Sequence, residues 1–352
     1  MCVVPVLDKN LVPLMPCKER RARTMMEKGR AKPYWKDGIF CIILQNEPSA
    51  RNYSDVVVGI DPGSKREGIT VTTEQRVVLN ITSEAITHVK DNVETRRTLR
   101  RSRRQRKTPY RKCRKNRKNN NKDDKLLPSI KSRWDAKLRI LKKLKQILPI
   151  TDVSVEDVAA KTIKHASKWN GEFSPIEVGK MYFYKAIEDM GLRLFKWKGY
   201  DTYDWRLQDG YKKTSEKLKN VWEAHNVDSH CLCEMVLGYC IKPVKILYLL
   251  SFLQVNRRNL FKQTILKHGV RTRYGGTMSL GFKKNTLVRH PKYGLSLVGG
   301  NTKGKLSLHN IRNGSRLCQN AKLSDLTIVS YNLKWVLQLI VPKVVKAGSS
   351  HD

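Results

Sequence analysis

Three acidic residues stand where apolar segments end or where a helix begins. Asp61 closes the β-branched run 56–60, Glu156 closes the run 153–155, and Asp228 lies near the start of a predicted helix. Carboxylate oxygens are the ligands that Mg²⁺ and Mn²⁺ prefer. Hydrolysis of a phosphodiester by two such ions needs several carboxylates around cations about 3.5 to 4 Å apart. The sequence therefore predicts Asp61, Glu156 and Asp228 as catalytic ligands for two Mg²⁺ ions, for which Mn²⁺ can substitute.

His225 precedes Asp228 by three residues, so it shares a helical face with that acid or lies in the turn just before it. An imidazole in this place could orient the attacking water or act as a general base, so we predict His225 as catalytic. Taken singly, each acid has a more ordinary interpretation as a turn former, a helix cap or a surface acid. The prediction rests on the three acids occurring together.

The segments that carry these residues alternate between strand and helix patterns. Strand patterns cover residues 56–61, 68–72, 152–157 and 192–195, and helix patterns cover 132–148, 175–191 and 225–237. This alternation predicts an α/β fold. In an RNase H-like sheet the three acids can meet at one edge, which would make them a single site.

The charge of the chain points to a polyanionic partner. Among 352 residues, 70 Lys and Arg oppose 31 Asp and Glu, which gives a net charge of +39. A charge of this size excludes a merely soluble basic surface, although a ribosomal-type binding protein fits it as well as an enzyme does. Hydrophobic residues make up 40% of the chain, which is enough for a packed core.

The basic residues are concentrated in one segment. Residues 94–118 hold fourteen Lys or Arg and one acid, and residues 94–107 contain no Gly or Pro, which predicts a helix with little to bury. A helix of this kind needs phosphates around it, although a solvated arm without defined contacts is the plainer alternative. The predicted nucleic-acid-binding residues are Arg96, Arg97, Arg100, Arg101, Arg103, Arg104, Arg106, Lys107, Arg111 and Arg114.

The two ends of the chain have patterns of their own. Residues 1–53 are a small segment with a turn at Asp37-Gly38, and the region after Lys242 shows short alternating runs at 286–290, 294–298, 305–309 and 326–331. These runs predict a small antiparallel β domain of barrel type. The eight cysteines lack zinc-type spacing, and Cys231-x-Cys233 is more simply core than a soft-metal pair. Without a long apolar stretch, the chain is predicted to be cytosolic and reduced.

Several of these motifs resemble those of a known family. Residues 58–64 are similar to the first RuvC motif, 153–156 to the second and 224–229 to the third, while Val12 to Pro16 match the PLMP signature of the transposon-encoded IscB family. The arginine-rich run resembles that family's bridge helix. Only 71 residues separate Glu156 from Asp228, which leaves no room for the HNH nuclease of the larger relatives. The chain therefore resembles the smaller, HNH-less IsrB group.

The resemblance implies an RNase H-like (RuvC) core split by a bridge helix, with a PLMP domain before it and a β-barrel-like domain after it. The implied segments are 1–53 (PLMP), 54–90 (first RuvC motif), 91–120 (bridge helix), 121–242 (second and third motifs) and 243–352 (target-adjacent-motif and RNA-interacting domain). It also implies a monomeric prokaryotic ribonucleoprotein in which an omega RNA guides nicking of the non-target strand of double-stranded DNA. Its location would be the cytoplasm, associated with the nucleoid.

Two other functions fit the same residues. A guide-independent nuclease of the junction-resolving kind would share the Gly-Ile-Asp-Pro-Gly motif and the acids, but would not need the arginine-rich insertion. A non-enzymatic nucleic-acid-binding protein would have acids that only pack.

Overall fold

The computed structural model describes residues 3–48, 50–51, 53–107, 126–158, 175–253, 260–263, 271–311, 313–331 and 333–341. The chain forms two compact units. One unit is Tyr53–Lys245, and the other combines the described residues of Met1–Asn52 with those of Ile246–Asp352. The first unit carries all three predicted metal ligands, and the two terminal segments lie together in the second.

Five neighbouring strands of a mixed sheet form the centre of the Tyr53–Lys245 unit. In spatial order β7, β6 and β5 are antiparallel, and β5, β8 and β9 are parallel. This order, with one reversed strand beside parallel ones, is the arrangement of an RNase H-like fold. The strands are β5 (Val56–Asp61), β6 (Arg66–Thr73), β7 (Arg76–Glu84), β8 (Asp152–Glu156) and β9 (Arg193–Trp197).

Five helices accompany this sheet: α2 (Val89–Lys107), α3 (Pro128–Lys145), α4 (Pro175–Glu188), α5 (Gly199–Gln208) and α6 (Trp222–Leu237). Helix α3 is attached to one face of the sheet through a buried ion pair, in which Lys137 Nζ lies 2.5 Å from Glu67 Oε1. Side chains alternate between the faces of a strand, and Gly68, the next residue of β6, faces α6 instead. The two helices therefore cover opposite faces of the sheet.

Helix α6 lies unusually close to the sheet because glycines stand beneath it. A Cβ added to Gly59 would lie 1.9 Å from the Ser229 carbonyl oxygen, and one added to Gly68 would lie 2.2 Å from the His225 carbonyl oxygen. Polar contacts fix this approach, since Asn226 Nδ2 donates to the carbonyls of Ile69 and Ile81. Such buried polar groups are stable only when they are hydrogen-bonded, so the contacts also select one position for the helix.

The arginine-rich segment is helical, as predicted, and α2 begins earlier than the predicted residue 94. Every residue from 91 to 101 is exposed, so the helix lacks a buried face there. Arg96, Arg97, Arg100, Arg101 and Arg104 are all exposed. The side chains of Arg103, Arg106 and Lys107, and residues Arg111 and Arg114, lie outside the described part of the structure.

In the other unit, the N-terminal segment forms a four-stranded sheet in the order β2-β1-β4-β3. Its strands are β1 (Val3–Leu7), β2 (Pro13–Lys18), β3 (Ala31–Lys36) and β4 (Ile39–Leu44), with α1 (Glu19–Glu27) between the second and third. The predicted turn at Asp37-Gly38 joins β3 to β4, and both of its residues have positive φ. Val4, Val6 and Ile42 are buried at the centre of this layer.

The C-terminal segment is rich in strands, as predicted, but their described arrangement differs from a barrel. Five antiparallel strands are paired in the order β18-β17-β16-β15-β19, so the ladder has two edges. The C-terminal strands are β10 (Leu247–Phe252), β11 (Leu260–Gln263), β12 (Arg271–Gly275), β13 (Met278–Ser279), β14 (Phe282–Lys283), β15 (Leu287–His290), β16 (Gly294–Thr302), β17 (Lys305–His309), β18 (Arg316–Ala321), β19 (Thr327–Ser330) and β20 (Trp335–Ile340). No helix in the described ranges combines the length and apolar character that a membrane crossing needs.

The close approach of α6 gives a stability prediction. Gly59→Ala should lower the free energy of unfolding by about 3 kcal/mol or more, because the new methyl group meets backbone that cannot move aside. Gly300→Ala is the matched control, since a Cβ there meets no atom within 4 Å. Chemical denaturation of both variants measures the difference. Equal stability of Gly59→Ala and the wild type would contradict the close packing of α6 on β5.

Candidate metal-dependent active site

Strand register brings two of the predicted acids side by side. Strands β5 and β8 are parallel neighbours in which Ile60 is paired with Val155. Asp61 and Glu156 are the next residues of the two strands, and each is the last residue of its strand. Because neighbouring strands share the alternation of side chains, both carboxylates leave the sheet on the same face.

Helix α6 brings the third acid to this face. Helix α6 begins at Trp222, so Asp228 lies in its second turn and not at its start as the sequence indicated. Carboxylate oxygens of Asp61, Glu156 and Asp228 all lie within 4.8 Å of one another. Asp61 and Asp228 are buried, and Glu156 is partly exposed. The three acids therefore form one cluster that is accessible at Glu156.

The electrostatics of the cluster favour a cation. Burial, together with the charges of Asp61 and Asp228, raises the pKa of Glu156 to about 7. Like charges held this close disfavour ionisation of all members at once, and a divalent cation among them removes that cost. Three oxygen donors at this separation fit Mg²⁺ or Mn²⁺. Asp61, Glu156 and Asp228 would be the residues that hold the metal.

Two basic side chains contact the deepest of the three acids. Arg206 Nη1, from α5, donates to Asp228 Oδ1 at 2.6 Å. Lys213 Nζ, from the loop after α5, donates to the other oxygen, Oδ2. Each carboxylate oxygen has a second lone pair, so these contacts leave Asp228 able to bind a metal ion. Arg206 and Lys213 belong to segments that resemble the IscB family, but the sequence assigned neither a role in the site, because their ion pairs depend on tertiary proximity.

His225 stands at the edge of the cluster, as predicted. Its Nδ1 lies 3.5 Å from Asp61 Oδ2, and its Nε2 lies 2.8 Å from the Lys217 carbonyl oxygen. A carbonyl only accepts, so Nε2 carries a proton and Nδ1 faces the acids. Burial lowers the pKa of His225, but the hydrogen bonds to Asp61 and to the Lys217 carbonyl outweigh burial and raise the pKa above its ordinary value.

The loop after β8 is held by the acid next to Glu156. Asp157 accepts hydrogen bonds from Lys180 Nζ at 2.6 Å, Lys198 Nζ at 2.5 Å and Tyr184 Oη at 3.0 Å. Burial opposes ionisation, but these three donors outweigh it and keep the pKa of Asp157 well below its usual range. Asp157 is a positioning residue that the sequence did not single out. It fixes the strand end from which Glu156 points.

A cleft of about 510 Å³ opens onto the cluster. Its walls include Asp61, Glu156 and His225 together with the basic residues Lys65, Lys213 and Lys217. Acids that can hold a cation, next to lysines that attract negative charge, suit an anionic substrate. The cleft could therefore admit a phosphodiester together with the metal.

A second group of possible metal ligands forms a structural hydrogen-bond network instead. Asp209, Glu234 and Cys240 place ligand atoms within 4.8 Å of one another. However, Glu234 Oε1 already accepts from Tyr211 Oη at 3.0 Å and from the Ile241 N–H at 2.7 Å. The Asp209 hydrogen bond and burial raise the pKa of the Cys240 thiol to about 11, which disfavours the thiolate that a metal needs. This group ties α6 to the segment that follows it.

The cysteine pair Cys231 and Cys233 lies in the core, in line with the simpler of its two interpretations. Both side chains are buried, and Cys233 Sγ donates to the Thr70 carbonyl at 3.4 Å. Within the described ranges, neither belongs to a group of possible metal ligands.

Fold and site together define a class: an RNase H-like core that carries three clustered carboxylates suited to divalent metal. Residues 4–172 match the family model described as RRXRR protein, and the pattern in that name occurs at residues 100–104 within α2. The solved structure of T. thermophilus RuvC in complex with a Holliday junction substrate is similar over 52% of this chain and 94% of that chain, at 12% sequence identity and a TM-score of 0.28. A search of curated proteins gave no significant match.

Crowding of the carboxylates gives a pH-dependent prediction. The pKa of Glu156 is about 7 in the folded protein without metal, against an ordinary value of 4.5. Ionisation of Glu156 therefore lowers the free energy of unfolding as the pH rises between these two values. Glu156→Gln removes that cost, so at pH 8 in EDTA the free energy of unfolding should rise by about 1 to 2 kcal/mol. At pH 4 the gain should vanish, because the wild-type carboxyl is then protonated in both states.

Thermal and chemical unfolding at the two pH values measure the effect, and added Mg²⁺ gives a second readout. Mg²⁺ should raise the melting temperature of the wild type and leave that of Glu156→Gln nearly unchanged. A loss of stability in Glu156→Gln at pH 8 in EDTA would contradict the described crowding.

Proposed function

We propose that the chain is a metal-dependent endonuclease that hydrolyses a phosphodiester at the Asp61, Glu156 and Asp228 cluster. The observation that carries this proposal is the approach of the three carboxylates to within 4.8 Å of one another, with Asp61 and Glu156 lining a cleft that also has basic walls. Bound Mg²⁺ or Mn²⁺ would stabilise the attacking and leaving oxygens of the displacement.

The chain's own residues supply binding and proton handling. Lys213 and Lys217 line the cleft and would contact the substrate phosphates. The hydrogen bond from His225 Nε2 to the Lys217 carbonyl directs Nδ1 toward the cluster. In its neutral form, with Nδ1 unprotonated, His225 could therefore orient the water or accept its proton at Nδ1. Arg206 holds Asp228, and the Asp157 network holds the strand end that carries Glu156.

We further propose that an RNA guide directs this cleavage, as the resemblance to the HNH-less IsrB group implies. In support, α2 exposes arginines along its length and buries almost nothing, which suits a helix that binds phosphates of a guide and its hybrid. With one cluster of this kind among the described residues, one strand of double-stranded DNA would be cut, the strand displaced from the hybrid. The partner would be an omega RNA, in a monomeric ribonucleoprotein.

The C-terminal strands would read a short target-adjacent motif and contact the RNA. This role is supported by the resemblance and by the charge of the chain. No residue of these strands is assigned to base recognition. The competing function is a guide-independent nuclease acting on branched DNA. Such a nuclease would nick branched DNA without any copurified RNA. Parallel reactions with and without the RNA therefore distinguish it from the guided nuclease.

Loss of one ligand should abolish cleavage. Asp61→Asn and Asp228→Asn should each reduce plasmid nicking by about 1000-fold or more, because the metal site needs every carboxylate. His225→Ala should reduce it less, by about 100-fold. Asp189→Asn is the control, since Asp189 is an exposed acid on the same unit outside the cluster.

Strand-specific mapping of nicks made by the protein with its locus RNA measures these rates. Wild-type nicking rates in the Asp61→Asn variant would refute the cluster as the active site. Double-strand breaks from pure protein would refute the proposal of single-strand cutting.

Neutralising part of α2 should weaken RNA binding in a salt-dependent way. Arg97→Ala, Arg101→Ala and Arg104→Ala together should reduce the slope of log affinity against log salt by about 2. The charge-matched control is Arg20→Ala, Arg21→Ala and Arg23→Ala on the exposed surface of α1. Filter binding over a salt series gives both slopes. Equal losses for the two variants would favour the solvated-arm interpretation.

A further inference from the structure

Helix α5 exposes an unusual set of large side chains. Tyr200, Tyr203 and Leu207 are 66%, 50% and 59% exposed and follow one another at helical spacing. Of the ten residues of α5, only Thr202 is fully buried. Half or more of each tyrosine is exposed, so burial against the described residues does not account for two aromatic rings on one helix face.

Both ends of this helix contact the carboxylate cluster. At the start of α5, a Cβ added to Gly199 would lie 2.8 Å from Glu156 Oε1. Near its end, Arg206 donates to Asp228 at 2.6 Å. At 1.5 Å per residue the two contacts lie about 10 Å apart along the helix axis. The exposed face thus runs beside the cluster for a length that matches about three stacked nucleotides at 3.4 Å each.

Arg206 links the exposed face to the site directly. Its guanidinium carbon lies 5.3 Å from the centroid of the Tyr203 ring while its Nη1 binds Asp228. At about 100° per residue, Asp204 and Gln208 fall on the opposite edge of the exposed face from Arg206. The edge of the exposed face that carries Tyr203 therefore lies next to the carboxylate cluster, and Asp204 lies at the opposite edge.

We propose that Tyr200 and Tyr203 form a base-stacking platform for the nucleic-acid strand that is cleaved. This inference rests on the proposed function, in which the displaced strand is unpaired, and adds which side chains hold its bases beside the site. Paired bases hide their faces in the duplex, whereas bases of a single strand can stack on aromatic rings. Stacking does not depend on base identity, which suits a nuclease whose sequence choice is made elsewhere.

Charge favours a nucleic-acid strand as the occupant. Lys196 and Lys212 are exposed around α5, and Lys213 and Lys217 line the adjoining cleft. Three apolar side chains are far fewer than the 20 to 30 residues, burying about 800 Å² per partner, that a stable protein interface usually needs. The surface is also continuous with the cleft in which the strand would be cut.

The test uses full-length protein and a single-stranded DNA carrying 2-aminopurine, whose fluorescence is quenched by stacking. The double variant Tyr200→Ala with Tyr203→Ala should bind this DNA about 10-fold or more weakly and lose the quenching. In cleavage its KM should rise more than its kcat falls. Tyr200→Phe with Tyr203→Phe should restore both, because phenylalanine keeps the ring. Tyr53→Ala, which removes a tyrosine that is 48% exposed on the same unit, is the control and should resemble the wild type.

Binding is measured with Ca²⁺ in place of Mg²⁺, so the platform is tested apart from hydrolysis. Normal stacking without cleavage by the wild type would refute the proposed function and keep the platform. Unchanged affinity and quenching in the double alanine variant would overturn the platform. A change of oligomeric state with unchanged DNA binding would also overturn it, in favour of a protein interface.

Discussion

The mutual repulsion of three buried or half-buried carboxylates is the constraint to which the rest of the Tyr53–Lys245 unit responds. The pKa of Glu156, raised to about 7 by burial and by Asp61 and Asp228, is the direct sign of this repulsion. A protein keeps such an arrangement only where surrounding structure enforces it, and such clusters are common at functional sites. In this unit the enforcement comes from backbone register and from a helix that the sheet holds unusually close.

The three acids are held in place by different parts of the structure. Asp61 and Glu156 are fixed by the pairing of β5 with β8, so their proximity follows from the sheet itself. Asp228 depends on α6, and α6 depends on glycines at 59 and 68 and on the buried amide of Asn226. Arg206 and Lys213 then offset part of the negative charge at Asp228. Lys213 also lines the cleft beside the cluster, so in the proposed function one side chain both holds Asp228 and contacts the substrate.

The sequence allowed the sheet-borne part of the site to be predicted, because β-branched runs that end in an acid are local patterns. It placed the start of α6 too late, since Trp222 to Ala224 show no capping signal. Helix α5 was missed because it spans only ten residues and only Thr202 among them is fully buried, so it has no apolar face that packs inward. Strand β7 was also overlooked, although it pairs with β6 along its length. Arg206 and Lys213 depend on contacts between distant segments, which no local pattern reveals. The RNA partner, the DNA motif and the strand that is cut remain predictions that rest on the resemblance.

The central claim is that Asp61, Glu156 and Asp228 together hold divalent metal. Crystals of the protein soaked in Mn²⁺ test it most directly, through anomalous diffraction measured at the manganese edge. The account predicts anomalous peaks among these three carboxylates, and their loss in crystals of Asp61→Asn. Crystals whose anomalous peaks lie elsewhere, with the three side chains in the described positions and metal-free, would contradict it.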